Sequence, residues 1–92
     1  MPDVKLKFQG GERIVSGTVS IGRTPDNDLQ VDSKFVSRHH AQVITTPEGS
    51  VVEDLNSTNG TYVNGKIIKK HALQHGDVIT VGHHALRFID GE

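Results

Sequence analysis

Val4-Lys5-Leu6-Lys7-Phe8, followed by Gly10-Gly11, opens the chain with the pattern that governs the rest of it. Apolar residues stand at every second position with lysines between them. That is the spacing of a strand with one face on a core and the other in water. The same period recurs at Val19 and Ile21 around Ser20, at Leu29 and Val31 around Gln30, and at Ala41 and Val43, which alternate with His40 and Gln42. It returns at Ile79-Thr80-Val81 and at Leu86-Arg87-Phe88. Turn signals close the runs: Gly17, Pro25-Asp26-Asn27, Pro47-Glu48-Gly49, Asn59-Gly60, Asn64-Gly65 and His75-Gly76-Asp77. No helical period outlasts a single turn. Roughly ten short strands at this spacing predict an all-β antiparallel sandwich or barrel.

The 92 residues suffice for one small domain, expected over 1–92, and are too few for two. A domain of this size is often attached to others. Ten Lys and Arg against eleven Asp and Glu leave a net charge of −1. A partner that presents many phosphates at once selects for a strong basic excess, so no nucleic acid is expected as the main ligand. The absence of cysteine removes disulfides, thiolate metal sites and cysteine nucleophiles together. Met1-Pro2-Asp3-Val4-Lys5 has no apolar core of a signal peptide, and no apolar run approaches the ~20 residues that cross a bilayer. A soluble, cytoplasmic chain without membrane contact is the expectation, with Asp90-Gly91-Glu92 as a fraying end.

The longest stretches without strand character are 24–28, 32–38 and 56–60. In a sandwich such loops collect at the ends of the sheets, where a rigid scaffold aims them at a ligand. Gly22-Arg23, Ser37-Arg38-His39-His40 and Asn56-Ser57-Thr58-Asn59-Gly60-Thr61 all sit where a strand meets a loop. Together they offer guanidinium groups, hydroxyls, a side-chain amide and glycine-permitted backbone. Those groups suit a dianionic tetrahedral oxyanion joined to an extended peptide.

Order and spacing here resemble the forkhead-associated (FHA) family. Its signature is Gly-Arg, then Ser-x-x-His about fifteen residues on, then an Asn-Gly-Thr turn. Gly22-Arg23, Ser37 to His40 and Asn59-Gly60-Thr61 match it. Asp54-Leu55, Val63-Asn64-Gly65 and Gly76-Asp77-Val78-Ile79 with Gly82 extend the match, giving a motif core of about 22–82. The resemblance implies an eleven-stranded antiparallel β-sandwich with binding loops at one end. It implies a phosphothreonine-peptide recognition module acting downstream of a Ser/Thr kinase, in trans or on its own parent chain. By the same resemblance Arg23, Ser37, Arg38 and Thr58 would contact phosphate and Asn59 the peptide backbone. Gly22, His40, Gly60 and Thr61 would support the loops. Phe35-Val36 and His83-His84 are candidates for selecting the residue three positions after the phosphothreonine.

Other chemistries have little to stand on. Adjacent histidines on a strand point to opposite faces, so neither His39-His40 nor His83-His84 chelates as a pair. His71 and His75 have helical zinc spacing, but no glutamate follows His71 and Gly76 argues against a helix. No metal and no cofactor are expected. Neither a Gly-x-Ser-x-Gly elbow nor a glycine-rich phosphate loop with its lysine is present, which speaks against an enzyme. Asn64-Gly65 reads as a purely structural hairpin turn. The alternative function is a phospho-independent interaction domain of the same fold.

Overall fold

The structure, a computed structural model, describes residues 4–91. Met1 to Asp3, part of the reading of the N-terminus, and Glu92, part of the expected fraying end, lie outside the described residues. Eleven strands follow one another: β1 Val4–Phe8, β2 Gly11–Ile14, β3 Thr18–Gly22, β4 Leu29–Gln30, β5 Ala41–Thr46, β6 Gly49–Asp54, β7 Thr61–Val63, β8 Lys66–Ile68, β9 Lys70–Ala72, β10 Val78–Val81 and β11 His84–Asp90. Among the described residues there is no helix, and so none long and apolar enough to cross a membrane.

Two sheets form the sandwich, one ordered β2-β1-β11-β10-β7-β8 and the other β4-β3-β5-β6-β9. Period two puts Leu6 opposite Phe88 and Ile79 opposite Leu86 on the inner face of the first sheet. Val19 opposite Val43 and Val43 opposite Val52 do the same in the second. All of these side chains are buried. Each contributes about 1.5–3 kcal/mol through removal from water, against the entropy of ordering the chain. Lysines 66 and 70 sit on the edge strands β8 and β9, where a charge discourages pairing with a foreign strand.

The eleven-stranded all-β sandwich is as expected, with three local departures. One pair is not antiparallel: β3 and β4 run parallel, with Ile21 opposite Leu29 and Gly22 opposite Gln30. The loop after Gly22 doubles back far enough for the Asp28 carboxylate to accept from the Ser20 amide (2.9 Å) while the Asp28 amide donates to the Ser20 hydroxyl (2.9 Å). That reciprocal pair starts β4 level with β3 and in the same direction. Secondly, Asp90 is no fraying residue: it pairs with Val4 in the ladder, and its amide donates to His75 Nδ1. Thirdly, His39-His40 lies in the loop before β5, and His83 sits in the β10–β11 turn with a φ of 74°, so strand alternation does not describe either pair.

Asn64 and Gly65 both have positive φ (52° and 83°), the primed turn whose twist suits the β7–β8 hairpin. Asn59-Gly60 is different. It belongs to the 55–60 crossover that carries the chain from one sheet to the other.

Candidate functional site

β3 ends at Gly22, and only glycine fits there. A Cβ would stand 2.1 Å from the Arg38 carbonyl oxygen and 2.6 Å from Asn27 Nδ2. Asn27 is buried and donates from Nδ2 to the carbonyls of Thr24 (2.9 Å) and Arg38 (2.8 Å), fastening the first loop to the second. Directly after this contact the Arg23 amide donates to the Ser37 carbonyl at 3.0 Å. Arg23 therefore leaves the sheet beside Ser37, fourteen positions away in sequence.

The second loop is shaped by a turn over Ser33–Val36, in which the Val36 amide donates to the Ser33 carbonyl (3.0 Å) and the Phe35 amide to the Ser33 hydroxyl (3.2 Å). Val36 is buried and roots the turn, while Phe35 is 43% exposed. His40, fully buried, closes the loop. Its Nδ1 accepts from the Ser37 amide at 3.1 Å, and its Nε2 lies 2.8 Å from the Gly60 carbonyl. With Nδ1 accepting, Nε2 carries the hydrogen and donates it to Gly60.

In the third loop Asp54, whose side chain is 2% exposed, organises everything around it. Its carboxylate accepts from the Ser57 amide (3.2 Å), the Ser57 hydroxyl (2.5 Å) and the Thr61 hydroxyl (2.7 Å). Burial pushes the Asp54 carboxyl up, but the hydrogen bonds from Ser57 and Thr61 outweigh it and hold the group below the ordinary aspartate value. Ser57 Oγ in turn accepts from the Gly60 amide at 3.0 Å. Asn56 and Gly60 take positive φ (55° and 86°), turning the chain sharply at both ends of the loop.

These three loops meet. The Thr58 amide donates to Ser37 Oγ at 3.0 Å, and Asn59 Nδ2 donates to the Phe35 carbonyl at 2.8 Å. The result is an open cleft of about 450 Å³ lined by Arg23, Ser37, Arg38, His39, Thr58 and Asn59 among others. Among the described residues no carboxylate lines it. Asp26, just outside, is paired with His39 at 3.3 Å. The Thr24 hydroxyl, with a smaller contribution from His39, holds the Asp26 carboxyl below its ordinary value. Ser37 Oγ has accepted one bond and still has its own hydrogen to donate, so the cleft offers cations and donors to an anion.

All four residues expected at phosphate, Arg23, Ser37, Arg38 and Thr58, line this single cleft, and so does Asn59, one NH₂ hydrogen of which is already donated to the Phe35 carbonyl. Gly22, His40, Gly60 and Thr61 lie behind the loops, in the contacts described above. Asp54, Asn27 and the Phe35 carbonyl were not foreseen as parts of it. Asp54 had a readable signal: an Asp three residues before a Ser that it caps, the spacing of a side-chain-to-backbone turn. Among the described residues no group of three or more His, Asp or Glu stands close enough to hold a metal ion.

A second, less polar recess adjoins the cleft across Phe35 and Asn59, and Tyr62, Thr80, Gly82 and His83 complete its walls. The Phe35 and His83 rings meet edge to face at 4.9 Å. A Cβ on Gly82 would stand 3.0 Å from the Phe35 carbonyl, so the β10–β11 turn presses directly on the Ser33–Val36 turn.

A family model, the FHA domain, matches residues 19–82. The chain is 45% identical over 75 residues to the ABC transporter ATP-binding/permease protein Rv1747 of Mycobacterium tuberculosis, covering 82% of this chain and 9% of that protein. It therefore spans a small part of that relative's length. Among solved structures, one from a structural and functional analysis of phosphothreonine-dependent FHA domain interactions superposes with a TM-score of 0.89 at 32% identity, covering 95% of both chains. Mycobacterium tuberculosis EmbR in complex with a low-affinity phosphopeptide superposes with a TM-score of 0.93 at 33% identity, over 97% of this chain and 24% of that one.

Proposed function

The chain belongs to the FHA domain family, and on that premise we propose that its cleft recognises phosphothreonine within an extended peptide segment. It acts as a binding module and not as an enzyme, linking Ser/Thr kinase activity to the assembly of a complex. Arg23 and Arg38 supply charge to the phosphoryl oxygens, and the Ser37 and Thr58 hydroxyls supply neutral donors. Asn59 keeps its Oδ1 free to accept from the peptide backbone, since its NH₂ is held by Phe35.

A phosphothreonine carries about −1.5 to −2 charge and three strong acceptor oxygens. Charge-assisted hydrogen bonds contribute about 1.5–3 kcal/mol each, so two or three of them account for micromolar affinity in a short peptide. The cleft supports this because its loops are already bonded to one another, and little ordering is left to be done on binding. One observation carries the reading: the 3.0 Å bond from the Thr58 amide to Ser37 Oγ, which joins the second and third loops beside Arg23. The test is titration of the folded domain with a phosphothreonine peptide library and its unphosphorylated counterpart. Binding that requires the phosphate supports the reading. A folded domain that binds no phosphopeptide overturns it.

A further inference from the structure

We infer that the ligand bears a further negative group close to the phosphothreonine, and that Lys34 receives it. The inference rests on the phosphothreonine reading and names more of the ligand.

Arg23, Lys34 and Arg38 all line the one cleft, and none of its lining residues is acidic. Among the described residues, ion pairs join Lys5 to Glu12, Arg13 to Asp28, Lys69 to Asp54, and two histidines to aspartates. Arg23, Lys34 and Arg38 take part in none of them. The chain as a whole has one more acid than base, so three unpaired cations in one cleft are a local concentration and not a general excess. Like charges gathered this way repel one another in the empty protein, and a lined cleft focuses their field on an incoming anion. His39 lies against Asp26, with Nε2 3.3 Å from the carboxylate, and is not counted among these three. A phosphothreonine dianion neutralises at most two of the three remaining cations, which leaves one over.

Lys34 is the one whose position is separately fixed. It stands at the crown of the Ser33–Val36 turn, with Nζ 5.4 Å from the centroid of the Phe35 ring. That cation–π contact holds the ammonium above the wall between the polar cleft and the less polar recess. The Asn59 bond to the Phe35 carbonyl ties the same turn to the third loop. An anion flanking the phosphothreonine meets a placed charge there. The chemistry fits an acidic side chain or a second phosphoryl group.

The experiment uses synthetic phosphothreonine peptides in which Glu replaces Ala, one position at a time, at the two positions on each side of the phosphothreonine. A doubly phosphorylated peptide forms a separate arm and distinguishes the second source of charge. Affinities are measured for the unaltered chain, for Lys34→Gln, and for Lys70→Gln, which removes the same charge from the β9 edge. At one position at least, Glu strengthens binding by about two- to fivefold, the size of a solvent-exposed ion pair. That ratio falls to about one in Lys34→Gln and persists in Lys70→Gln. If no flanking anion improves binding although the alanine-flanked phosphopeptide binds, the inference fails and the phosphothreonine reading stands. A gain that survives Lys34→Gln also overturns it. If no phosphothreonine peptide binds at all, both readings fall together.

Discussion

His40 holds Ser37 with one ring nitrogen and Gly60 with the other, at 3.1 and 2.8 Å, and so joins two loops twenty residues apart from beneath the cleft. His40 is fully buried and touches no ligand position, which makes it a positioning residue. Replacing it by alanine strands the Ser37 amide and the Gly60 carbonyl, each an unsatisfied group that costs about 1–3 kcal/mol. His40→Ala should therefore lower the melting temperature by several degrees and weaken phosphopeptide binding in the same protein. Calorimetry and peptide titration measure the two effects. Unchanged stability would contradict the bridge.

Arg23→Ala should be the most damaging change to binding that leaves the fold intact. Its backbone amide, not its side chain, bonds Ser37, so truncation removes the guanidinium alone. Loss of about 1.5–3 kcal/mol corresponds to a tenfold to over hundredfold fall in affinity. Arg23→Lys recovers only part of it, because an ammonium cannot grip two phosphoryl oxygens in a plane. Isothermal titration beside a thermal melt separates affinity from stability.

Ser37→Ala deletes the acceptor of the Thr58 amide. That amide should then exchange its hydrogen faster, a change visible by NMR without any ligand present. Phosphopeptide affinity falls as well, since one donor to the anion is lost with the hydroxyl. Unaltered exchange at Thr58 would mean that the two loops are not joined through this bond.

Gly22→Ala drives a methyl group into the Arg38 carbonyl and the Asn27 amide. Crowding of this kind costs about 1–3 kcal/mol, and each kcal/mol shifts the melting temperature of a domain this size by about 4–8 °C. Arg38 is displaced with its carbonyl, so binding should decline beyond what stability alone explains. A melt with and without phosphopeptide reads both.

Acid should act through Asp54. Its folded carboxyl titrates below the ordinary aspartate value of 3.8, so the stability it contributes is complete above that value. As pH falls through the ordinary value and then the folded one, that contribution is lost. Asp54→Asn turns one of the two accepting oxygens into an NH₂ that faces either the Ser57 amide or the two hydroxyls, and should cost about 1–3 kcal/mol at neutral pH. Its stability should then fall less steeply than that of the unaltered chain below about pH 4. Denaturant melts from pH 3 to pH 7 give the two slopes.

Most of the core could be read from Leu6, Val19, Ile21, Val43, Ile79 and Phe88, because a two-residue period records which face of a strand is buried. The edge strands were harder. Gly11–Ile14, Lys66–Ile68 and Lys70–Ala72 are three or four residues long and largely exposed, so burial imposes no alternation on them. The parallel β3–β4 pair depended on Asp28, in the loop, meeting Ser20 in mid-strand, a polar contact that no periodicity encodes. Arg23, Ser37, Thr58 and Asn59 could be picked out by their order along the chain. What braces them was legible only in part. Asp54 stands three residues before the Ser57 it caps, but Asn27 works through the Arg38 carbonyl, brought near only by folding, and His83 takes a left-handed conformation that its residue type does not advertise.

The 55–60 crossover, which carries Thr58, leaves β6 in the five-stranded sheet and enters β7 in the six-stranded one, while Arg23 and Ser37 flank strands of the five-stranded sheet alone. A phosphoryl group gripped from all sides would stitch the two layers at their rim like a rivet. Slippage of one layer over the other would then loosen the grip, and an occupied cleft would resist that shear.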